Sequence, residues 1–323
     1  MAFSININIA SLQSQAYLRI SGNFQQKTIN RVSRGLRIIS SGDATTGRMS
    51  KCCSPHCGAG AAARRYDHLG GILMAMVRAA AATVQAPTAD GLLVKLFADG
   101  ADKKTMLDMY ASPRVQGFTT NPTLMRKAGI ADYEAFARDI VQAIPDRHIS
   151  LEVFADDQPE MERQARKIAT FGPNVYAKIP VTNTKGELTA AMVRRLSLDG
   201  VKVNVTAILT MTQVEEVIEA LGGGAPCCVS IFAGRIADTG VDPLPMMTEA
   251  VAMTHPHPGM EIIWASPREL LNVFQADQIG CHIITATADI LKKLSLVGKD
   301  LGEYSLETVQ MFYQDASASG YRL

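Results

Sequence analysis

One lysine stands inside an apolar run of strand-forming residues. The segment NVYAKIPVT, residues 174–182, places Lys178 where a charged ammonium group is costly. Burial disfavours the charged form of a lysine and lowers its pKa from about 10.4, so that a neutral amine becomes available as a nucleophile. Attack of an amine on a ketone gives a Schiff base, which withdraws electrons and allows a neighbouring carbon–carbon bond to break without a metal. The structural alternative is that the lysine extends to the surface and pairs with a carboxylate.

Further polar residues stand late in other apolar, strand-like runs. Asp99 and Glu152 are carboxylic acids that could move the protons such chemistry requires. Asn204 and Thr206 are two residues apart, so they point to the same face of a strand. A lone Asn or Thr in such a run is more often a hydrogen-bonded core group, but recurrence at most strand ends favours one shared site. The remaining members of this set are Asn121, Ser230 and Ser266, with Arg235 and Arg268 just beyond strands six and seven.

The runs that carry these residues alternate with helical patterns. This alternation argues for parallel strands joined by crossover helices. We predict a (β/α)8 TIM barrel, an α/β fold in which chemistry lies at the C-terminal ends of the strands, over residues 90–323. The segment SLETVQMFYQDAS predicts an extra C-terminal helix that packs over the barrel or over a neighbouring subunit. The predicted strands are 92–99, 115–121, 149–155, 175–181, 201–208, 227–233, 261–266 and 281–287.

The first part of the chain differs in character. Residues 1–50 have few aromatic residues and a helical spacing of apolar ones, and residues 51–89 read as an irregular linker rich in small residues. The segments INIASLQSQAYL and QQKTINRVSRGLRIISSGDATTG resemble the N-terminal helical segment of bacterial flagellins. The resemblance stops at Gly47, and nothing later resembles the matching C-terminal helix. We therefore expect a fused, frameshifted or misassigned gene start, with Met74 and Met76 as the candidate starts of the enzyme itself.

Composition and charge limit which classes of partner and which cell compartment we expect for this protein. The 323-residue chain has a net charge of +1 and 47 % hydrophobic residues. Balanced charge gives no reason to expect nucleic-acid binding, and no apolar run approaches the roughly 20 residues that cross a bilayer. The start has no basic segment followed by an apolar block, so we predict a cytoplasmic protein with reduced cysteines. The segment CCSPHC, with His56, contains zinc-type ligands, but no second ligand cluster follows it, and we predict no metal.

Four motifs then carry a resemblance to a known family. GFTTNPTL (117–124), YAKIPVT (176–182), NVTAI (204–208) and SIFAGRIADTG (230–240) together resemble the transaldolase family, including its fructose-6-phosphate aldolase relatives. The likeness runs in order from about Leu92 to the end of the chain. It implies a cofactor-free enzyme that acts on sugar phosphates, and it leaves a homo-oligomer open.

The resemblance also implies roles for individual residues. Lys178 would form the Schiff base, and Asp99 would take the proton from the hydroxyl next to the breaking bond. Glu152 and Thr206 would hold a water for proton relay. The implied substrate contacts are Asn121, Asn204 and Ser230 for the hydroxyls of a dihydroxyacetone unit, Phe232 beside them, and Arg235, Ser266 and Arg268 for a phosphate.

The two branches of the family are not equally supported. Glu152 and Phe232 stand where the aldolase branch tends to have Gln and Tyr, which favours transaldolase. The short enzyme part and KIPVTNTKGE resemble the aldolase branch instead. Two positions depart from the family pattern: Pro267 precedes Arg268, which leaves the direction of that arginine open, and Gly100 follows Asp99 where Thr is common.

We therefore expect a transaldolase of the pentose phosphate pathway. It would transfer a dihydroxyacetone unit from sedoheptulose 7-phosphate or fructose 6-phosphate to an aldose phosphate. The alternatives are a fructose-6-phosphate aldolase, a flagellin-related structural protein with an inactive barrel, and a barrel acting on a less common sugar.

Overall fold

A computed structural model of the protein describes residues 88–322. The flagellin-like segment, the CCSPHC motif and the two candidate start methionines lie outside the described residues. The boundaries proposed at residues 50 and 89 therefore stay predictions.

Eight parallel strands form a closed barrel. Each strand pairs in parallel with the next along the chain, and the eighth pairs with the first. The predicted (β/α)8 fold is confirmed. The strands are β1 Lys95–Asp99, β2 Val115–Thr119, β3 His148–Glu152, β4 Val175–Pro180, β5 Val203–Ile208, β6 Cys227–Ile231, β7 Met260–Trp264 and β8 Ile283–Thr287.

Helices follow the strands. Two short 3-10 helices, Ala89–Gly91 and Lys293–Leu296, accompany them. The α-helices are α1 Lys103–Tyr110, α2 Pro122–Lys127, α3 Tyr133–Ala143, α4 Gln158–Ala169, α5 Ala190–Leu198, α6 Met211–Leu221, α7 Ala233–Asp238, α8 Leu244–Thr254, α9 Leu271–Gln278, α10 Ala288–Lys292 and α11 Leu301–Ser319.

Local sequence explains where the helices start and which face they bury. The side chains of Asp102 and Asp157 accept hydrogen bonds from backbone N–H groups at the starts of α1 and α4, and Thr210 does so in a capping box on α6. Helix α4 buries Met161 and Ile168 against the barrel, while its charged residues face outward. The apolar layer between strands and helices forms the main core.

The inside of the barrel has an aromatic layer at its base and polar side chains at its mouth. At the base, the ring of Phe97 contacts His148 edge-on, and His148 stacks on Tyr176 with ring centroids 3.7 Å apart. Gly117 makes room for this layer, because a Cβ there would lie 2.5 Å from the Phe97 ring. The strand ends at the mouth carry the polar side chains.

Observed strands are shorter than the predicted ones. The prediction extended the second strand to residue 121, but Asn121 caps α2 by accepting from the Leu124 N–H at 2.9 Å. The sixth predicted strand likewise included Phe232 and Ala233, which begin α7. Two strand-forming threonines lead up to Asn121, and apolar residues run from β6 into α7, so composition alone does not mark the end of either strand.

The C-terminal helix predicted from SLETVQMFYQDAS is present as α11. None of its residues is buried in the described chain, and Val309 and Phe312 are 59 % and 62 % exposed. It ends at Gly320, whose φ of 69° is the left-handed conformation glycine favours. No helix within residues 88–322 is long and apolar enough to cross a membrane.

Candidate active site

A cavity of about 630 Å³ opens at the C-terminal ends of the strands. Ten of the eleven predicted site residues line it, so the fold brings together side chains from seven strands or the turns after them. The ten are Asp99, Asn121, Glu152, Lys178, Thr206, Ser230, Phe232, Arg235, Ser266 and Arg268.

Lys178 lies at the centre of this arrangement. Its side chain is 8 % exposed, and its Nζ lies 3.2 Å from Oε2 of Glu152. The Nζ also donates to the Thr120 carbonyl oxygen at 2.9 Å. Glu152 and Lys178 are direct partners in the parallel pairing of β3 and β4. The lysine therefore does not extend to the outer surface, as the structural alternative required, but presents its amine to an interior cavity beside a carboxyl group.

Two carboxyl groups face this one amine. Burial raises the pKa of Asp99 above its ordinary value, although the charge of Lys178 and a hydrogen bond from Thr119 oppose the shift. Burial also raises the pKa of Glu152, again against the effect of Lys178. Burial thus moves the pKa of each carboxyl group upward, toward the range in which a side chain can both take up and give a proton near neutral pH.

A pair of threonines supports Asp99. The hydroxyl of Thr119 donates to Oδ1 of Asp99 at 2.8 Å, and the hydroxyl oxygens of Thr119 and Thr285 lie 2.6 Å apart. Because Thr119 gives its proton to the carboxylate, Thr285 is the donor in the second bond. The three residues stand on β2, β8 and β1, which are neighbours in the closed sheet.

Thr206 has unused hydrogen-bonding capacity. Its hydroxyl is buried and has no partner within the described part of the chain, yet the residue lines the cavity. A buried hydroxyl without a partner is costly, so its capacity is directed to what the cavity holds. This fits the water-holding role predicted for it beside Glu152.

Asn204 is the predicted site residue that does not line the cavity. It is fully buried, and its Nδ2 donates to the hydroxyl of Ser150 at 2.9 Å. Its Oδ1 accepts from the hydroxyl of Ser230 at 2.7 Å. Asn204 therefore holds Ser230, which does line the cavity, and the structure places no part of Asn204 in the cavity wall.

The far end of the cavity carries the predicted phosphate contacts. The guanidinium of Arg235 lies over the Phe232 ring, 5.0 Å from its centroid. Arg268 turns its guanidinium to Asp238, with Nε 2.9 Å from Oδ1 and a second bond from Nη2 to Oδ2. The preceding Pro267 thus still lets Arg268 line the cavity, but its donor fork is engaged by a carboxylate.

This geometry can be compared with known proteins. The sequence profile of the family described as Transaldolase/Fructose-6-phosphate aldolase matches residues 96–322. The chain belongs to this family.

Relatives of the transaldolase/fructose-6-phosphate aldolase family agree with the profile. A probable transaldolase of Dehalococcoides mccartyi is 35 % identical over 203 residues, which are 62 % of this chain and 90 % of that protein. A probable transaldolase of Thermoanaerobacter sp. is 36 % identical over 202 residues, 62 % of this chain and 89 % of that protein. The family prediction is confirmed, whereas the flagellin resemblance of residues 1–50 stays a prediction.

Some of the residues that line the cavity were not predicted from the sequence. Thr119 stands two residues before Asn121 in GFTTN, and the alternation of CHIITAT could have placed Thr285 and Thr287 on one face of β8. Lys127, at the end of α2, adds a cation to the wall and gave no signal in the sequence. Thr285 and Thr287 stand late in β8, just as the predicted site residues stand late in, or just after, β1–β7.

Proposed function

We propose that this chain is a transaldolase that transfers a dihydroxyacetone unit from a ketose phosphate to an aldose phosphate. The ketose phosphate is sedoheptulose 7-phosphate or fructose 6-phosphate. The observation that carries the proposal is the position of the Lys178 amine, buried in the cavity 3.2 Å from the Glu152 carboxyl. The names of the relatives, probable transaldolases, support the same activity.

The first half-reaction forms and breaks bonds around Lys178. Its neutral Nζ attacks C2 of the ketose, the C2 oxygen leaves as water, and the resulting iminium withdraws electrons from the C3–C4 bond. Asp99 takes the proton from the C4 hydroxyl, the C3–C4 bond breaks, and the aldehyde product leaves. The three-carbon enamine stays on Lys178. Glu152 and Thr206 carry protons to and from the C2 oxygen through a held water.

The second half-reaction distinguishes a transaldolase from an aldolase. In a transaldolase the enamine attacks an acceptor aldose phosphate, and hydrolysis then releases the new ketose. In a fructose-6-phosphate aldolase, water releases dihydroxyacetone. Glu152 and Phe232, both in the cavity wall, match the transaldolase branch and favour the first outcome. Product analysis with and without an aldose phosphate acceptor separates the two.

The Schiff base is tested by borohydride trapping with fructose 6-phosphate, followed by intact and peptide mass spectrometry. We expect a stable dihydroxyacetone adduct on the Lys178 peptide of the wild type and none in Lys178→Ala. Lys202→Ala is the matched control, since this lysine donates to the Pro173 carbonyl at the base of the barrel and lies outside the cavity wall. An adduct that persists in Lys178→Ala would refute the assignment.

The remaining predictions belong to the same proposal. A cytoplasmic enzyme acting on sugar phosphates without a cofactor or nucleic-acid partner fits the family. The apolar residues exposed on α11 favour a homo-oligomer in which this helix packs on a neighbouring subunit.

A further inference from the structure

A line of hydrogen-bonded side chains connects the base of the barrel to the cavity. It starts at His148, whose Nε2 lies 2.7 Å from the hydroxyl oxygen of Ser150. It continues through Asn204, which donates to Ser150, and ends at Ser230, which donates to Asn204. Ser150 and Asn204 are fully buried, and Ser230 is 2 % exposed, so no link is open to bulk water. Only Ser230 reaches the cavity.

The donors and acceptors along this line fix one direction. Ser230 gives its only proton to Oδ1 of Asn204, and Asn204 gives an amide proton to Ser150. Ser150 then has its own proton left, and the partner in reach is Nε2 of His148. That bond forms only if Nε2 carries no proton. A protonated Nε2 would instead donate to Ser150 and reverse every bond along the line. The Asn204 side chain would be flipped so that its amide nitrogen donates to Ser230, and the Ser230 proton would point into the cavity.

The surroundings of His148 agree with a neutral ring. Burial between Phe97 and Tyr176 lowers its pKa to about 3, and the positive charges of Lys202 and Lys95 act in the same direction. The imidazole is therefore uncharged at neutral pH, and one of its nitrogens is an acceptor.

We propose that His148 is a positioning residue: by accepting the Ser150 proton at Nε2, it directs the whole line so that Ser230 offers an acceptor oxygen, not a donor, to the substrate. Ser230 then binds a substrate group that donates, such as a hydroxyl of the three-carbon ketone unit. The proposal deepens the assigned transaldolase function and rests on it for the identity of that substrate. The residue that sets this preference lies outside the cavity wall, at the opposite end of the strands.

The test uses borohydride trapping with two different ketones. For each ketone it measures, at varied concentration, the fraction of Lys178 that carries the reduced adduct. Dihydroxyacetone donates from both hydroxyls, whereas 1,3-difluoroacetone has fluorine in their place and cannot donate. The preference of a protein is the ratio of its trapping with dihydroxyacetone to its trapping with 1,3-difluoroacetone. This ratio is compared between proteins, so the different electrophilicity of the two ketones cancels. We expect His148→Phe, which keeps an aromatic ring, to reduce the preference about 2- to 10-fold, the value of one hydrogen bond. Ser150→Ala should do the same.

Three further proteins separate positioning from general damage. His148→Gln keeps an acceptor and should retain the wild-type preference. The double variant of His148→Phe with Ser150→Ala should show no more loss than either single change, because both cut one line. His282→Phe is the matched control, since His282 accepts from the Ile262 N–H at the base and is not part of the line. An unchanged preference in both His148→Phe and Ser150→Ala would overturn the proposal.

A measurement on the resting protein is independent of activity. In protein carrying ¹⁵N-labelled histidine, the His148 signals, assigned by their loss in His148→Phe, report which ring nitrogen is protonated. We expect Nδ1 to be protonated and Nε2 bare; a protonated Nε2 would overturn the proposal. If no ketone labels Lys178 in the wild type, the transaldolase function fails, and this spectrum still decides the direction of the line.

Discussion

At the scale of single residues, the site combines one amine with two carboxyl groups whose ionised forms are disfavoured. Asp99 and Glu152 both have raised pKa values because burial outweighs the opposing effect of Lys178. Each carboxyl group therefore holds its proton more tightly than it would in water.

The hydroxyl of Thr119 sets how readily Asp99 loses its proton. Thr119 donates to the carboxylate and lowers its pKa, so Thr119→Val should raise it. Activity that needs ionised Asp99 falls as pH decreases through this pKa. We therefore expect the acid limb of the kcat/KM profile to move to higher pH in Thr119→Val. Thr287→Val is the control, since Thr287 lines the cavity and pairs with Asp99 in the register of β1 and β8, yet its hydroxyl does not bond the Asp99 carboxyl group; an equal shift there would contradict the argument.

In the proposed function, Asp238 competes with the substrate phosphate for Arg268. The pair is about half-exposed, so it contributes little to stability, but it occupies the guanidinium fork that a phosphate would use. We expect Asp238→Asn to lower KM for fructose 6-phosphate about 2- to 5-fold, the value of one exposed ion pair.

The control for that change is Asp242→Asn, an exposed carboxylate four residues further along that is not paired with Arg268. A higher KM in Asp238→Asn alone would show that Asp238 orients Arg268 instead of competing for it.

Sequence patterns could predict the amine and carboxyl groups of the site, but not the support of Asp99 by threonines or the pairing of Arg268 with Asp238. Lys178 and the polar strand ends are visible because each interrupts an apolar run. The contact of Thr119 with Thr285 depends on closure of the barrel, which joins strands 166 residues apart. The Arg268–Asp238 pair depends on how two turns face each other. Neither leaves a periodic signal along the chain.

At the scale of elements, the proposed phosphate end of the cavity lies where two turns touch. The backbone of Gly234, at the start of α7, packs against Ser266, which follows β7 and has a φ of 58°. A Cβ on Gly234 would lie 1.5 Å from the Ser266 carbonyl oxygen. Because the obstructing atom belongs to the backbone, the backbone itself must move before any side chain fits at position 234.

We expect Gly234→Ala to destabilise the protein by about 1–3 kcal/mol and to raise KM for phosphorylated substrates, because it displaces Arg235 and Ser266 together. Thermal unfolding and steady-state kinetics measure the two effects. Gly100→Ala is the matched control, since a Cβ there meets nothing within 4 Å. Equal stability of the two variants would contradict the steric argument.

The elements themselves were largely predictable, and their ends were not. All eight strands and the terminal helix occur where alternation and helical spacing place them. The ends differ because capping decides them: Asn121 is polar and late in an apolar run, yet it starts a helix. The capping bond is local, from the Leu124 N–H to the Asn121 side chain, but a polar residue at this position could equally have ended the strand.

At the scale of the whole molecule, the barrel carries the family match. The matched region begins at residue 96, within β1, and the closed sheet is complete within the described residues. We expect a chain lacking residues 1–73 to keep the kcat/KM of the full chain. Circular dichroism and the trapping assay check folding and chemistry. Loss of activity in a folded truncated chain would show that the flagellin-like part contributes to function.

The register of the strands has a consequence for protein engineering. Glu152, Lys178 and Asn204 are successive partners across β3, β4 and β5, so backbone ladders set their spacing. Phe232, Arg235 and Arg268 instead stand on turns and a short helix beyond the strands. If the proposed function holds, new acceptor aldehydes can be sought by randomising those three positions, while the residues proposed to break the carbon–carbon bond stay fixed by the sheet.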